Sequence, residues 1–143
     1  MRSLWVLLVL IVSLACGFVF FRYLHNMSAE RMVAEFELRN SKRKEHLRTV
    51  ISAIKEYKVD NNGFLPGKIT EDDKYICRTD VEVDCTGLVD LSVLTKEYLV
   101  TLPIDPLVLS GASTGYTIRK EVNTISIAAP QAENEDMFIS TEL

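Results

Sequence analysis

The apolar N-terminal segment constrains the fold of this chain more than any other feature. Eighteen consecutive residues without a charged side chain run from Leu4 to Phe21, with the sequence LWVLLVLIVSLACGFVFF. A helix rises about 1.5 Å per residue, so this segment would be about 27 Å long, which is close to the thickness of a bilayer's hydrocarbon core. The segment therefore predicts a transmembrane helix, and we assign residues 1–24 to a membrane anchor.

Both ends of this segment carry side chains that favour the membrane–water interface. Trp5 lies near one end, and Arg22 is followed by Tyr23 at the other. Amphipathic aromatic rings and basic side chains hold a helix at that depth. The predicted anchor residues, with the lipid bilayer as their partner, are Trp5, Phe18, Phe20, Phe21, Arg22 and Tyr23.

Two cleavable signals compete with the uncleaved anchor. A signal peptide would use Arg2 as its basic region and a small-residue cleavage site near Ala15. A lipoprotein signal would place a lipid on Cys16, after which the sequence normally becomes polar at once. Here strongly apolar sequence continues past both sites, from Gly17 to Phe21, and this favours an anchor that stays in the mature chain.

The cysteines indicate on which side of the membrane the remaining chain lies. Cys77 and Cys85 are the only cysteines after the anchor, and seven residues separate them. Such an even, closely spaced pair suits a disulfide that closes a short loop in an oxidising compartment, although two free thiols in a cytosolic domain are the alternative. Basic residues flank both ends of the anchor, so charge does not decide the orientation. We therefore predict a single-pass plasma-membrane protein whose domain, residues 25–143, is extracytoplasmic.

The first half of that domain has the spacing of an amphipathic helix. Apolar side chains recur at steps of three and four at Leu47, Val50, Ile51, Ile54 and Tyr57. The helix should end at residues 60–63, DNNG, because Asn and Gly tolerate the left-handed backbone that terminates helices. The preceding residues 37–46 are nearly all polar, so we expect them to be exposed or to contact other subunits.

The second half has the pattern of a small sheet. Alternating apolar and polar residues predict strands at Gly115–Lys120, Thr124–Ala129 and Met137–Thr141, the first two joined as a hairpin. Residues 88–98 are predicted to form a short helix, and the chain from residue 64 to the cysteine loop is predicted to be irregular. The fold class is therefore α+β: a long N-terminal helix, transmembrane in its first half, packed on a small antiparallel sheet.

The order of these motifs is similar to that in a known family. Residues 43–57, a charged run that leads into an amphipathic turn and a Tyr, resemble the helix of type IV pilin-like proteins and type II secretion pseudopilins. Residues 60–66 resemble that family's helix exit. Residues 91–106, with Leu91-Ser92, Leu94, Tyr98-Leu99 and Pro103-Ile104-Asp105-Pro106, resemble its next passage, and residues 115–118 and 127–130 resemble its first two strands. The resemblance covers roughly residues 40–130.

This resemblance implies a non-enzymatic, membrane-anchored subunit of a surface filament, a type II secretion machine or a DNA-uptake apparatus. Its partners would be other pilin-like subunits or assembly proteins, contacted through Arg39, Arg43 and Lys44. The N-terminus lacks the family's standard prepilin cleavage motif, because apolar sequence precedes Gly17-Phe18 and Arg22 occupies the position of the family's Glu. The alternative is a tethered cell-surface module that binds a ligand or partner and does not polymerise.

The remaining polar residues give no pattern of catalysis. His25 lies beside the anchor and His46 lies in a charged run, and neither has a recognisable catalytic companion. The net charge of −4 argues against nucleic acid as the primary partner. We predict no cofactor, and the only residues to consider as calcium ligands are the carboxylates of Asp80, Glu82, Asp84 and Asp105.

Overall fold

The computed structural model describes the backbone of residues 2–81 and 84–142, and their side chains except at 2–4, 6–9, 28 and 29. A single helix, α1, extends over Arg2–Asp60, a length of 59 residues. It ends where Asn62 and Gly63 adopt positive φ angles of 53° and 86°. The amide of Gly63 donates to the Lys58 carbonyl at 2.8 Å, which satisfies a carbonyl of the last turn. The predicted helix stop is therefore confirmed.

Four antiparallel strands follow the helix in a sheet of order β1-β2-β3-β4. The three predicted strands are present, and residues 121–123 join β2 and β3 as a hairpin. The α+β fold class is thus confirmed. The bounds of the strands are Lys74–Cys77 for β1, Ser113–Lys120 for β2, Thr124–Ala128 for β3 and Phe138–Glu142 for β4.

The chain divides into two compact units, Met1–Leu38 and Arg39–Leu143. In the first unit the side chains of residues 10–26 are exposed, for example Leu14 and Phe18. The helix is long enough and apolar enough, from Leu10 onward, to cross a membrane. An exposed apolar surface of this kind is stable in lipid and unfavourable in water.

The second unit has its own hydrophobic core between α1 and the sheet. The predicted stripe is buried from Leu47 to Ile54 and partly buried at Tyr57, and it packs against the inward face of β2 and β3. Complete burial of each such aliphatic side chain contributes about 1.5–3 kcal/mol. The central residues of this core are Leu47, Val50, Ile51, Ile54, Ile118, Ile125 and Ile127.

The segment between the helix and β2 differs from its predictions in two places. β1 forms where an irregular crossing was expected. The short helix predicted over residues 88–98 is wrong, because only Ser92–Leu94 form a 3₁₀ turn. The Asp90 carboxylate accepts the Ser92 amide at 2.8 Å, and Lys96 has a φ of 90°, so local turns replace helical hydrogen bonds. Leu91 and Leu94 are nevertheless buried.

The predicted disulfide between Cys77 and Cys85 is confirmed. It joins the end of β1 to the loop that leads to Val89, whose amide donates to the Tyr75 carbonyl at 2.9 Å. The Cys77 amide in turn donates to the Val89 carbonyl at 2.9 Å. The cross-link and these two hydrogen bonds therefore hold the same short loop against β1.

Candidate functional site

A buried cluster of charges joins α1 to two loops that lie far away in the sequence. Asn40 and Arg43 come from α1, Asp105 comes from the loop before β2, and Glu133 comes from the loop between β3 and β4. Asn40 and Arg43 are three residues apart, so the helical repeat places both on the face that continues to Leu47. We name these residues, together with Arg39, the ion-pair network.

Arg43 lies at the centre of the network and is fully buried, as is Asp105. Its guanidinium donates through Nε to Asp105 Oδ2 at 2.7 Å and through Nη2 to Oδ1 at 3.1 Å. Nη1 donates to Asn40 Oδ1 and to Glu133 Oε2, each at 2.8 Å. The planar guanidinium thus makes a two-point contact with one carboxylate and reaches a second, an arrangement that a lysine could not reproduce.

The loop around Asp105 is shaped to present its carboxylate to the helix. The Asp105 amide donates to the Thr114 carbonyl at 2.9 Å, and Oδ1 accepts the Leu107 amide at 2.9 Å. Gly115 lies against this turn with a φ of +86°, and a Cβ there would stand 2.8 Å from Asp105 Cβ. A residue larger than glycine would therefore displace the aspartate from Arg43.

Glu133 is held to the helix by several residues. Arg39 Nε donates to Glu133 Oε1 at 3.0 Å. The Asn40 side chain donates to the Glu133 carbonyl at 2.7 Å and accepts its amide at 3.1 Å. Lys44 pairs with Glu135 at 3.1 Å at the rim. These contacts fasten the loop before β4 along one turn of α1.

The prediction that residues 37–46 are exposed is wrong at Asn40 and Arg43. Arg43, one of the predicted subunit contacts, has its guanidinium wholly inside its own domain. The Arg39 side chain is only 16% exposed and pairs with Glu133. Lys44 remains at the surface, with its side chain 47% exposed. Of the three predicted contact residues, Lys44 is thus the most accessible.

The three described carboxylates among those considered as calcium ligands, Asp80, Asp84 and Asp105, do not form a common site. Asp105 is bound to Arg43, whose charge opposes a cation there. Asp80 accepts two hydrogen bonds from Arg78, and Asp84 accepts two from Thr86. Glu82 lies outside the described residues. Within residues 2–81 and 84–142 no group of His, Cys, Asp and Glu side chains has an arrangement that could hold a metal ion.

The predicted anchor residues all lie on α1, in the first of the chain's two compact units. Their side chains are exposed in the structure, as lipid-facing or interfacial side chains would be in the isolated chain. Ser13 donates its hydroxyl to the Leu10 carbonyl at 2.9 Å, which satisfies that polar group within the apolar stretch. The described part of this segment therefore offers lipid a surface with its polar atoms paired.

No protein-family model, curated protein or solved structure matches this chain. In the ion-pair network every described charge is matched by an opposite charge, so the network is suited to fix the two loops on the helix. A second buried polar contact lies nearby, where His46 Nδ1 meets the Tyr116 hydroxyl at 2.7 Å. Burial lowers the pKa of His46 and raises that of Tyr116, which keeps both side chains neutral at pH 7.

The network makes the domain sensitive to acid. The hydrogen bonds from Arg39, and then those from Arg43, lower the pKa of Glu133 from 4.5 to about 2. A carboxylate with a depressed pKa in the folded state stabilises the fold above its unfolded pKa, and this contribution is lost as the pH falls toward the folded value. We expect the unfolding temperature, followed by circular dichroism, to fall between pH 4.5 and about pH 2.

The matched control for this pH dependence is the neighbouring glutamate. In Glu133→Gln the unfolding temperature should depend less on pH between pH 4.5 and about pH 2, because the titrating carboxylate is absent. Glu135→Gln removes a carboxylate charge paired with a half-exposed lysine and keeps an oxygen that can accept the Asn40 hydrogen bond, so it should leave this pH dependence in place. Equal profiles for the wild type and Glu133→Gln would show that the network does not depend on this charge.

Proposed function

We propose that this chain is a membrane-anchored, pilin-like subunit of a surface filament, a secretion machine or a DNA-uptake apparatus, with its domain outside the cytoplasm. The observation that carries the proposal is a single unbroken helix that serves two environments. Its first part exposes apolar side chains, and its last part forms one wall of an α+β core. A subunit built in this way is held in the membrane by the same element that organises its domain.

The disulfide supports the extracytoplasmic side of the proposal. Cys77–Cys85 closes a loop in the compact domain, and disulfides persist in oxidising compartments. The ion-pair network supports a structural role, because it holds the loops at residues 105 and 133 on α1 and its charges pair with one another inside the domain. On this part of the helix the side chains that remain exposed to neighbouring subunits include three cations, Lys42, Lys44 and Arg48.

Site-specific photo-cross-linking in the native membrane tests the proposal. A photoreactive residue at Lys42 or Arg48 should give cross-linked products that contain a second copy or another membrane-anchored subunit. The same probe at Lys96, which is exposed but lies outside the helix, serves as the control. If all three positions give only monomer, the subunit proposal fails. Mass spectrometry of the mature N-terminus then distinguishes an intact Met1 from cleavage before Phe18 or lipidation at Cys16.

A tethered binding module is the second proposed function, and a specific groove favours it. The groove has a volume of about 630 Å³ and is lined by Lys58, Lys68 and Lys120 together with the exposed ring of Phe64. Among the described residues no acidic side chain lines it, so it is suited to an anionic ligand. A chain that stays monomeric in the cross-linking experiment and binds a polyanion would support this function over subunit assembly.

A further inference from the structure

The two edges of the sheet differ in how they are protected. At β1 the outer edge is already occupied, because Ile76 forms a parallel bridge with Val89. The register of β1 is also irregular between Tyr75 and Cys77, and the disulfide holds the covering loop in place. Another strand therefore cannot pair with β1 unless this loop is displaced.

The opposite edge, β4, carries none of these protections. It pairs with β3 in continuous register from Phe138 to Glu142. Among the described residues, no backbone hydrogen bond leaves residues 138–142 except to β3. The strand has no lysine, proline or bulge, which are the features that usually block an edge. Alternate amides and carbonyls of β4 therefore point outward without a partner strand.

A groove runs beside this open edge. Its volume is about 870 Å³, with Ser140, Thr141 and Glu142 on one side and the last turns of α1 on the other. The helix contributes Lys55, Lys58 and the 80% exposed Val59. Neither lysine forms an ion pair with a described residue. The groove thus combines outward backbone groups of β4, two lysines and an apolar contact, with the single carboxylate of Glu142 at the end of the strand. Among the described lining residues the lysines outnumber this carboxylate, which leaves a net positive charge.

We propose that an extended acidic segment of a partner protein binds this groove and adds to β4 as a fifth strand. The main chain of the segment would pair with the outward backbone groups of β4, and its alternate side chains would face α1. Carboxylates at those alternate positions would meet Lys55 and Lys58. This surface does not depend on assembly into a filament, although Lys58 also lines the groove considered above for an anionic ligand. The β4 amides distinguish the two, because no residue of β4 lines that other groove.

Charge complementarity favours such a partner over a second copy of this chain. In β4 the side chain of Ile139 packs toward the core, and by alternation Thr141 lies on the same face. Phe138, Ser140 and Glu142 lie on the opposite face, where Ser140 bonds Ser126 at 2.7 Å. A second β4 paired at this edge would therefore present Ile139 and Thr141 toward the lysines, without a charge to match them.

The test uses the full chain in detergent micelles and a capped eight-residue peptide of alternating threonine and glutamate. We expect saturable binding, shifts of amide resonances at residues 138–142 and slower hydrogen exchange at alternate amides of β4. The double variant Lys55→Glu/Lys58→Glu should bind about tenfold more weakly. Lys42→Glu/Arg48→Glu makes the same change of charge on exposed positions of α1 outside the groove, and should keep the affinity of the wild type.

Four outcomes would overturn the proposal. Equal loss of binding in both double variants would indicate general charge attraction. Binding that leaves the β4 amides unchanged would place the peptide elsewhere, and this measurement on the wild type does not depend on the variants folding. Self-association that protects β4 and excludes the peptide would identify a second copy as the occupant. An alternating threonine–lysine peptide should not bind, and tight binding of it would also contradict the assignment.

Discussion

Replacing Arg43 with alanine is expected to lower the free energy of unfolding of the domain by about 3–5 kcal/mol. Arg43 is the partner that neutralises the fully buried carboxylate of Asp105, at 2.7 Å. Without it, the aspartate must remain charged in the interior or bind a proton, and Glu133 loses one of its two guanidinium contacts. Urea denaturation of the full chain in micelles, followed by near-ultraviolet circular dichroism, measures the change.

Two variants separate loss of the ion pair from loss of packing. Arg48→Ala removes an exposed arginine from the same helix and should change the stability by less than about 0.5 kcal/mol. The double variant Arg43→Met/Asp105→Leu replaces the buried pair with apolar side chains and should recover most of the stability lost in Arg43→Ala. If Arg43→Ala is as stable as Arg48→Ala, the central role of Arg43 is refuted.

Placing two arginines in the apolar part of α1 is expected to have a larger effect. Val12→Arg/Leu14→Arg should weaken insertion of the helix by about 5–7 kcal/mol, because each arginine near the centre of a bilayer costs about 2.5–3.5 kcal/mol. Both side chains are exposed, so the substitutions disturb no packing within the chain. The fraction of chain that resists alkaline extraction from membranes should fall to near the background level.

The apolar variant Val12→Phe/Leu14→Phe is the matched control, since it changes the size of the same two side chains and adds no charge. It should remain in the membrane fraction. A double-arginine variant that still resists extraction would show that this segment is not what holds the chain in the membrane.

Much of the fold could be predicted because its signals are local. The stripe from Leu47 to Tyr57 and the alternation in β2 and β3 repeat over enough residues to reveal their periods. β1 has only four residues, Lys74–Cys77. Its order depends on pairing with β2, for example Lys74 with Ile118, and on the covering loop at Val89. Such short strands do not show their period in the sequence.

The ion-pair network was harder to predict for a related reason. A run of charged residues is usually a solvated surface, and the partners of Arg43 lie 62 and 90 positions away. One signal was present, since counting back from Leu47 by steps of four and three gives Arg43 and Asn40, which continue the buried stripe. At residues 88–98 a pattern was present but misleading. Leu91 and Leu94 have helical spacing, yet they reach the core from a turn and not from a helix.

The bond between Cys77 and Cys85 also determines how this domain would respond to a protease. A single cut in residues 78–84 would leave the two pieces covalently joined, since the cross-link spans that stretch. The nicked chain would migrate at full length on a denaturing gel and separate only after a reductant is added. A cut in this loop would therefore be detected only after the disulfide is reduced.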